Sequence, residues 1–290
     1  MSKSTIAESK FRLLSETKLG PPVLKVRDIN KMLRFYEDVF GLDANYSGDM
    51  AELRINNSPL LILKNDPNAK EVSHDSAGLY HYAILLPNRE SLAQAYSTIE
   101  GKAIFEGFAD HGVSEALYLH DPERNGIEIY RDRPREEWNH DKEGHVVFEA
   151  LPPDLHGILS ELPSEKLNNA FPFGARIGHI HLRVTNLERS VKFYHEKLGF
   201  DITADLSNFG AMFLSVGGYH HHIGLNTWHS IQGRPHKAFD RGLDEFTIEV
   251  PYQKLFVKKL ESQLENPLST NEREIKTFDP DGIPVKIKFT

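Results

Sequence analysis

Residues 24–42, LKVRDINKMLRFYEDVFGL, return in outline as residues 182–200, LRVTNLERSVKFYHEKLGF. Val26 meets Val184, Phe35 meets Phe193 and Gly41 meets Gly199, each pair 158 residues apart. The same spacing carries Asp121-Pro122 onto Asp279-Pro280 and Glu128 onto Lys286. Self-similarity at one fixed spacing marks a duplicated chain. A second correspondence lies inside each half: residues 78–87, GLYHYAILLP, and residues 242–251, GLDEFTIEVP, stand 164 apart. Each half therefore holds two sub-units, four in all.

Each sub-unit has one pattern: an apolar strand, an Asp or Asn start signal, an amphipathic helix, then short strands set off by Gly, Asn, Asp and Pro. In the first, Ile29, Leu33, Tyr36 and Phe40 recur at helical spacing, and Gly41 supplies the stop. Residues 51–55 and 60–63 then read as strands joined by an Asn56-Asn57 turn. The unit is βαβββ. Residues 132–175, with Pro134, Pro152, Pro153, Pro163 and Pro172, read as a linker carrying a short helix near Leu155 to Leu162. The expected domains are thus residues 18–131, the linker, and residues 176–290.

Composition narrows the function. A net charge of -8, with no basic run, argues against nucleic acid or an anionic membrane as partner, because phosphate binding needs clustered Lys and Arg. With no cysteine there is neither a disulfide nor a thiolate metal site, so any metal must be held by His, Asp or Glu. Residues 1–10 are polar and no window approaches a membrane span, which predicts a cytoplasmic protein.

Four βαβββ units in this order resemble the vicinal oxygen chelate superfamily, which includes glyoxalase I, bleomycin-resistance proteins and the two-domain extradiol dioxygenases. The segments GLYHYAILLP, HGVSEALYLHDPERNGIEIYRDRPREEW, GHIHLRV and GGYHHHIGL are similar to the bacterial catechol 2,3-dioxygenase-like subgroup. The resemblance implies an α+β fold of four modules paired into two cup-shaped mixed sheets. It also implies two metal-ligand positions per module, one in the first strand and one in the last. Counting along the motifs places the first-strand position at Pro21, His81, His179 and Glu245. The last-strand position falls at Glu128 and Lys286 in modules two and four, within His220 to His222 in module three, and within Leu60 to Lys64 in module one.

A proline and an ammonium cannot build a cation site, so the expected metal centre joins modules two and three through His81, Glu128 and His179. Two imidazoles and one carboxylate suit Fe(II); Mn(II), Ni(II) or Zn(II) are alternatives. Extradiol enzymes with better-known sites take all three ligands from the second half, which Lys286 forbids here. His181 shares a strand face with His179 and is expected beside the site rather than in it.

The triple histidine resembles the dioxygenase strand whose second His is an acid-base, which falls on His221. Strand alternation would send His220 and His222 to one face and His221 to the other, so either a fourth ligand or the acid-base comes from this stretch. His111, Ser114, Glu115 and Tyr118 are expected to line the pocket, with Tyr118 touching substrate. Residues 130–138 are expected either to close over the site or to carry salt bridges into the linker, and His195 is expected to face solvent. The resemblance implies a metal-dependent extradiol dioxygenase acting on catechol or a related small diol with O2. The alternatives are a glyoxalase-type isomerase or lyase, favoured by a fourth protein ligand, and a binding protein without chemistry. Edge strands in such folds offer a surface for homo-oligomer formation.

Overall fold

The computed structural model describes residues 11–162, 171–264 and 267–290. Module one comprises β1 (Lys18–Leu19), β2 (Val23–Val26), α1 (Ile29–Phe40), β3 (Asp43–Ser47), β4 (Met50–Ile55) and β5 (Ser58–Asn65). Module two comprises β6 (Gly78–Leu86), α2 (Arg89–Ile99), β7 (Gly107–Asp110), β8 (Ser114–His120) and β9 (Gly126–Asp132). After the short helix α3 (Leu155–Ser160), module three runs through β10 (Arg176–Arg183), α4 (Leu187–Lys192), β11 (Asp201–Leu206), β12 (Ala211–Ser215) and β13 (Ile223–Asn226). Module four has β14 (Gly242–Val250), α5 (Lys254–Gln263), β15 (Ser269–Thr270), β16 (Glu274–Phe278) and β17 (Pro284–Phe289). Pro163 of the linker lies outside the described residues.

The start and stop signals act as their chemistry requires. Asp28, Asn88 and Asn186 each accept a hydrogen bond from a backbone N–H three residues on, capping α1, α2 and α4. Gly41 ends α1 at φ +62, donating to the carbonyls of Glu37 and Tyr36. Asn56 and Asn57, both at positive φ, turn β4 into β5.

Modules pair across the halves of the chain. One sheet orders β15-β16-β17-β14-β2-β5-β4-β3, joining modules four and one, with β1 beside β14. The other orders β11-β12-β13-β10-β6-β9-β8-β7, joining modules three and two through antiparallel β6 and β10. Both are mixed sheets, as expected for the α+β vicinal oxygen chelate fold. Leu33, Tyr36 and Phe40 of α1 share one buried core with Tyr82, Ile84, Ile127 and Ile129, whereas Ala83, Leu85, Ala116 and Tyr130 form a smaller cluster. Strand alternation thus assigns the faces: Ile127 and Ile129 look to the main core, Glu128 and Tyr130 to the cup.

The Asp-Pro motif is structural in both halves. Asp121 accepts from the backbone N–H of Glu123 and Asn125 and from the Tyr36 hydroxyl, and Asp279 likewise accepts from Asp281, Ile283 and Tyr194. Glu123 then accepts from the N–H of Arg27 and Asp28, and Asp281 from that of Thr185. The turn before each half's last strand therefore holds the start of that half's first helix.

Glu115, expected to line the pocket, is instead buried among arginines, and neither it nor Ser114 lines the cavity over the metal cluster. Strand register sets Glu115 opposite Arg131, and its buried carboxylate takes Arg131 and Arg89, with Arg133 3.7 Å away. Residues 130–138 thus carry salt bridges, and Arg133 also pairs with Asp110. Removing one member of a buried ionic cluster strands the others. Glu115→Ala is expected to lower the unfolding free energy by about 3 kcal/mol, read from the urea midpoint. A loss under about 1 kcal/mol would mean that Arg89 and Arg131 find other partners.

Candidate metal centre

Ala83, in the middle of β6, organises the site. Glu128 of β9 is its in-register neighbour on one side, His179 of β10 its neighbour on the other, and His81 precedes it by two residues. In-register neighbours and residues two apart share a sheet face, so three side chains converge over one methyl group. The small residue leaves the room they need. Ligand-type atoms of His81, Glu128 and His179 all lie within 4.8 Å of one another, and all three residues are buried. His179 Nε2 is 3.1 Å from Glu128 Oε2 at hydrogen-bond geometry. His81 Nε2 is 3.0 Å from the same oxygen but makes no well-angled hydrogen bond. Among the described residues no other His, Asp or Glu joins this group.

Burial opposes the negative charge of Glu128, yet the imidazoles of His179 and His81 hold its carboxyl well below the usual range. Burial in turn pushes His179 down to about 4, and His181 and His221 well below the ordinary imidazole value. Two imidazoles around an ionised carboxylate, that of His81 with an orphaned Nε2, form a donor set that fits a divalent cation.

The last-strand position of module three is corrected by register. His181 pairs with Gly224 as Ala83 pairs with Glu128, so the equivalent of Glu128 is Gly224, not one of residues 220–222. A Cβ on Gly224 would meet the His181 ring at 2.8 Å. One half thus combines a small residue with a carboxylate, the other an imidazole with a glycine. In the second sheet the corresponding positions are Pro21, Ile62, Glu245 and Lys286, by the same register. Glu245 is held there by Lys286 at 2.6 Å and Lys276 at 3.0 Å, an arrangement that repels a cation.

The triple histidine is not in a strand. Gly217 and Gly218, at φ +61 and +65, turn the chain, and β13 begins only at Ile223. Freed from alternation, the three rings do three things. His222 Nδ1 bonds the Ser215 hydroxyl at 2.7 Å. His220 Nε2 lies 2.8 Å from Asp132 Oδ1, which also accepts from the Tyr219 hydroxyl. His220 Nδ1 lies 2.7 Å from His221 Nδ1, and the His221 ring stands 4.0 Å from that of His179. Trp138 packs against His220 at 5.3 Å between ring centroids.

A cavity of about 640 Å³ opens above the cluster, with His81, Glu128 and His221 in its wall. His111 and Tyr118 line it as expected, joined by a 2.8 Å hydrogen bond. Burial, and then the charge of Glu128, keep the Tyr118 phenol protonated. His181 lines it too, against Tyr80 and Trp228. His195, expected in solvent, is buried: α4 continues as a π-helical turn over Phe193–Lys197 that brings its Nδ1 to the Phe200 carbonyl at 2.6 Å. Gly126 is more than a turn residue, since a Cβ there would come within 2.3 Å of the Tyr80 carbonyl; it lets β9 bring Glu128 against β6. Sequence reasoning missed Asp132 altogether.

The sequence profile of the Glyoxalase/Bleomycin resistance protein/Dioxygenase superfamily matches residues 18–129 and 176–247. The chain is 42% identical over 241 residues to a catechol-2,3-dioxygenase of Bacillus subtilis (strain 168), covering 82% of this chain and 84% of that one. In fold it is similar to a putative dioxygenase of B. subtilis subsp. subtilis str. 168, with a TM-score of 0.60 at 10% identity over 98% of this chain and 86% of the other. It is also similar to glyoxalase I of Zea mays, with a TM-score of 0.53 at 16% identity over 94% and 92% of the two chains. These two likenesses speak for the fold alone. The duplicated modules, the profile match over both halves and the close relative make the chain a member of the glyoxalase/bleomycin resistance protein/dioxygenase superfamily, within its catechol-2,3-dioxygenase-like group.

Proposed function

We propose that the protein is an extradiol dioxygenase that opens the ring of a catechol-type diol with O2, using Fe(II) held by His81, Glu128 and His179. The observation that carries this reading is Gly224, where a fourth ligand would stand. A glyoxalase-type centre needs that fourth donor, and a purely sequestering protein has no use for the other three. An iron held by His81, Glu128 and His179 would supply Lewis-acid activation of the diol and redox activation of O2.

The remaining work falls to the chain. The Asp132 carboxylate selects the tautomer with the proton on His220 Nε2, which leaves His220 Nδ1 an acceptor. His221 must then donate through its own Nδ1, so its Nε2 carries a free lone pair beside the cavity. Burial keeps His221 neutral at pH 7, so that nitrogen is ready to take a diol proton and later return it. Tyr118, protonated and bonded through its hydroxyl to His111 Nε2, presents that oxygen at the cavity wall beside the bound diol. Asp132 and His220 are positioning residues, while His221 and Tyr118 touch substrate.

The test is anaerobic loading of metal-free protein with Fe(II), then catechol and air. The expected result is one O2 consumed per catechol with appearance of a yellow ring-opened semialdehyde, and no turnover with Zn(II). Stoichiometric nickel or zinc in the purified protein, with no O2 uptake after iron loading, would overturn the proposal.

A further inference from the structure

The cavity is far larger than a single dihydroxybenzene ring, and about 640 Å³ lies in the range that holds drug-sized ligands. Away from the metal cluster its wall is aromatic and aliphatic: Phe148, Leu206, Phe209, Phe213, Tyr80 and Trp228. Phe148 stacks on Phe213 at 4.5 Å between centroids, and Tyr80 meets Trp228 edge-on at 5.2 Å. Among the described residues no Lys or Arg lines this cavity. Apart from Glu128 its carboxylates are Glu106 and Glu149, the first accepting from Arg124 with His120 Nδ1 2.7 Å away, the second accepting from Asn139.

We infer that the preferred substrate is a diol carrying an uncharged apolar substituent about as large as a second ring, and that diols bearing a carboxylate are rejected. This rests on the proposed ring cleavage for the diol end and on the cavity wall for the rest. A substituent of that size covers aromatic surface which bare catechol leaves wet. A carboxylate on the ring would instead be buried among aromatic rings and two glutamates with no cation to receive it.

The partner of the inference is Trp228, half-exposed on the cavity wall and one of two tryptophans, so ligand entry is readable by fluorescence quenching without turnover. Titration of the metal-loaded protein under anaerobic conditions, with catechol, 3-phenylcatechol, 4-phenylcatechol and 3,4-dihydroxyphenylacetate as probes, ranks them. At least one phenylcatechol is expected to bind about 10-fold or more tighter than catechol, and the acid about 10²-fold weaker than that phenylcatechol. Ala150 lies exposed on the cavity rim, so Ala150→Arg supplies the missing cation with little risk to folding. It is expected to tighten 3,4-dihydroxyphenylacetate by about 10-fold. Catechol, the phenylcatechols and the acid binding alike would overturn the inference while ring cleavage of catechol stood. O2 uptake absent with every diol would overturn the proposed reaction, and the quenching order would still decide what the cavity accepts.

Discussion

Glu128→Gln is expected to empty the metal site. Purified wild-type protein should retain close to one iron or manganese per chain after loading and desalting; the variant should retain less than about a tenth, with catechol-dependent O2 uptake down at least about 10³-fold. The magnitude follows from position. Mutating groups that merely support a metal ligand costs about 10–100-fold in affinity, and Glu128 is the sole carboxylate in the cluster. Glutamine keeps the shape but removes the charge that two neutral imidazoles cannot replace, and its amide N–H would face His81 and His179. Because the substitution is isosteric, the sheet should fold normally, and a thermal scan of metal-free protein serves as the check. Glu245→Gln, at the matching position of the other sheet, is the control: metal content and O2 uptake should stay at wild-type levels. Full metal retention by the Glu128 variant would show that this cluster does not hold the ion.

Why so much of the site could be read from the chain alone, and why parts could not, comes down to the range of the interactions. The repeat places His81 and His179 at equivalent positions, and strand register does the rest, because parallel pairing of β6 with β9 sets Glu128 opposite Ala83. Both are consequences of period and offset, which a sequence carries openly. His195 faces inward because its segment widens into a π-helical turn, which nothing in the local sequence announces. The strand reading of the triple histidine fails because the two glycines before it, at positive φ, turn the chain and β13 begins only at Ile223. The pocket reading of Glu115 fails because its partners Arg89 and Arg131 stand 26 and 16 residues away in the chain. Asp132 is paired with a histidine 88 residues away, and no local pattern announces such a contact.

That distant pair sets the second large effect. His221→Ala should lower kcat for catechol by about 10²–10⁴-fold while the iron content stays near one per chain, the signature of a lost acid-base rather than a lost ligand. The geometry gives the reason: His221 lies outside the group of mutually close ligand atoms, yet its ring packs 4.0 Å from that of His179. Asp132→Asn should fall between wild type and His221→Ala, with kcat down about 10–100-fold and KM little changed. An amide can present its N–H to His220 Nε2, which reverses both tautomers along the chain and turns the His221 nitrogen at the cavity from acceptor to donor. A structural loss alone would lower stability without altering the proton step, so the deciding readout is the solvent isotope effect on kcat, expected to rise in Asp132→Asn and to vanish in His221→Ala. If His221→Ala instead releases the iron, the histidine belongs to the metal and the proton must be taken by another group.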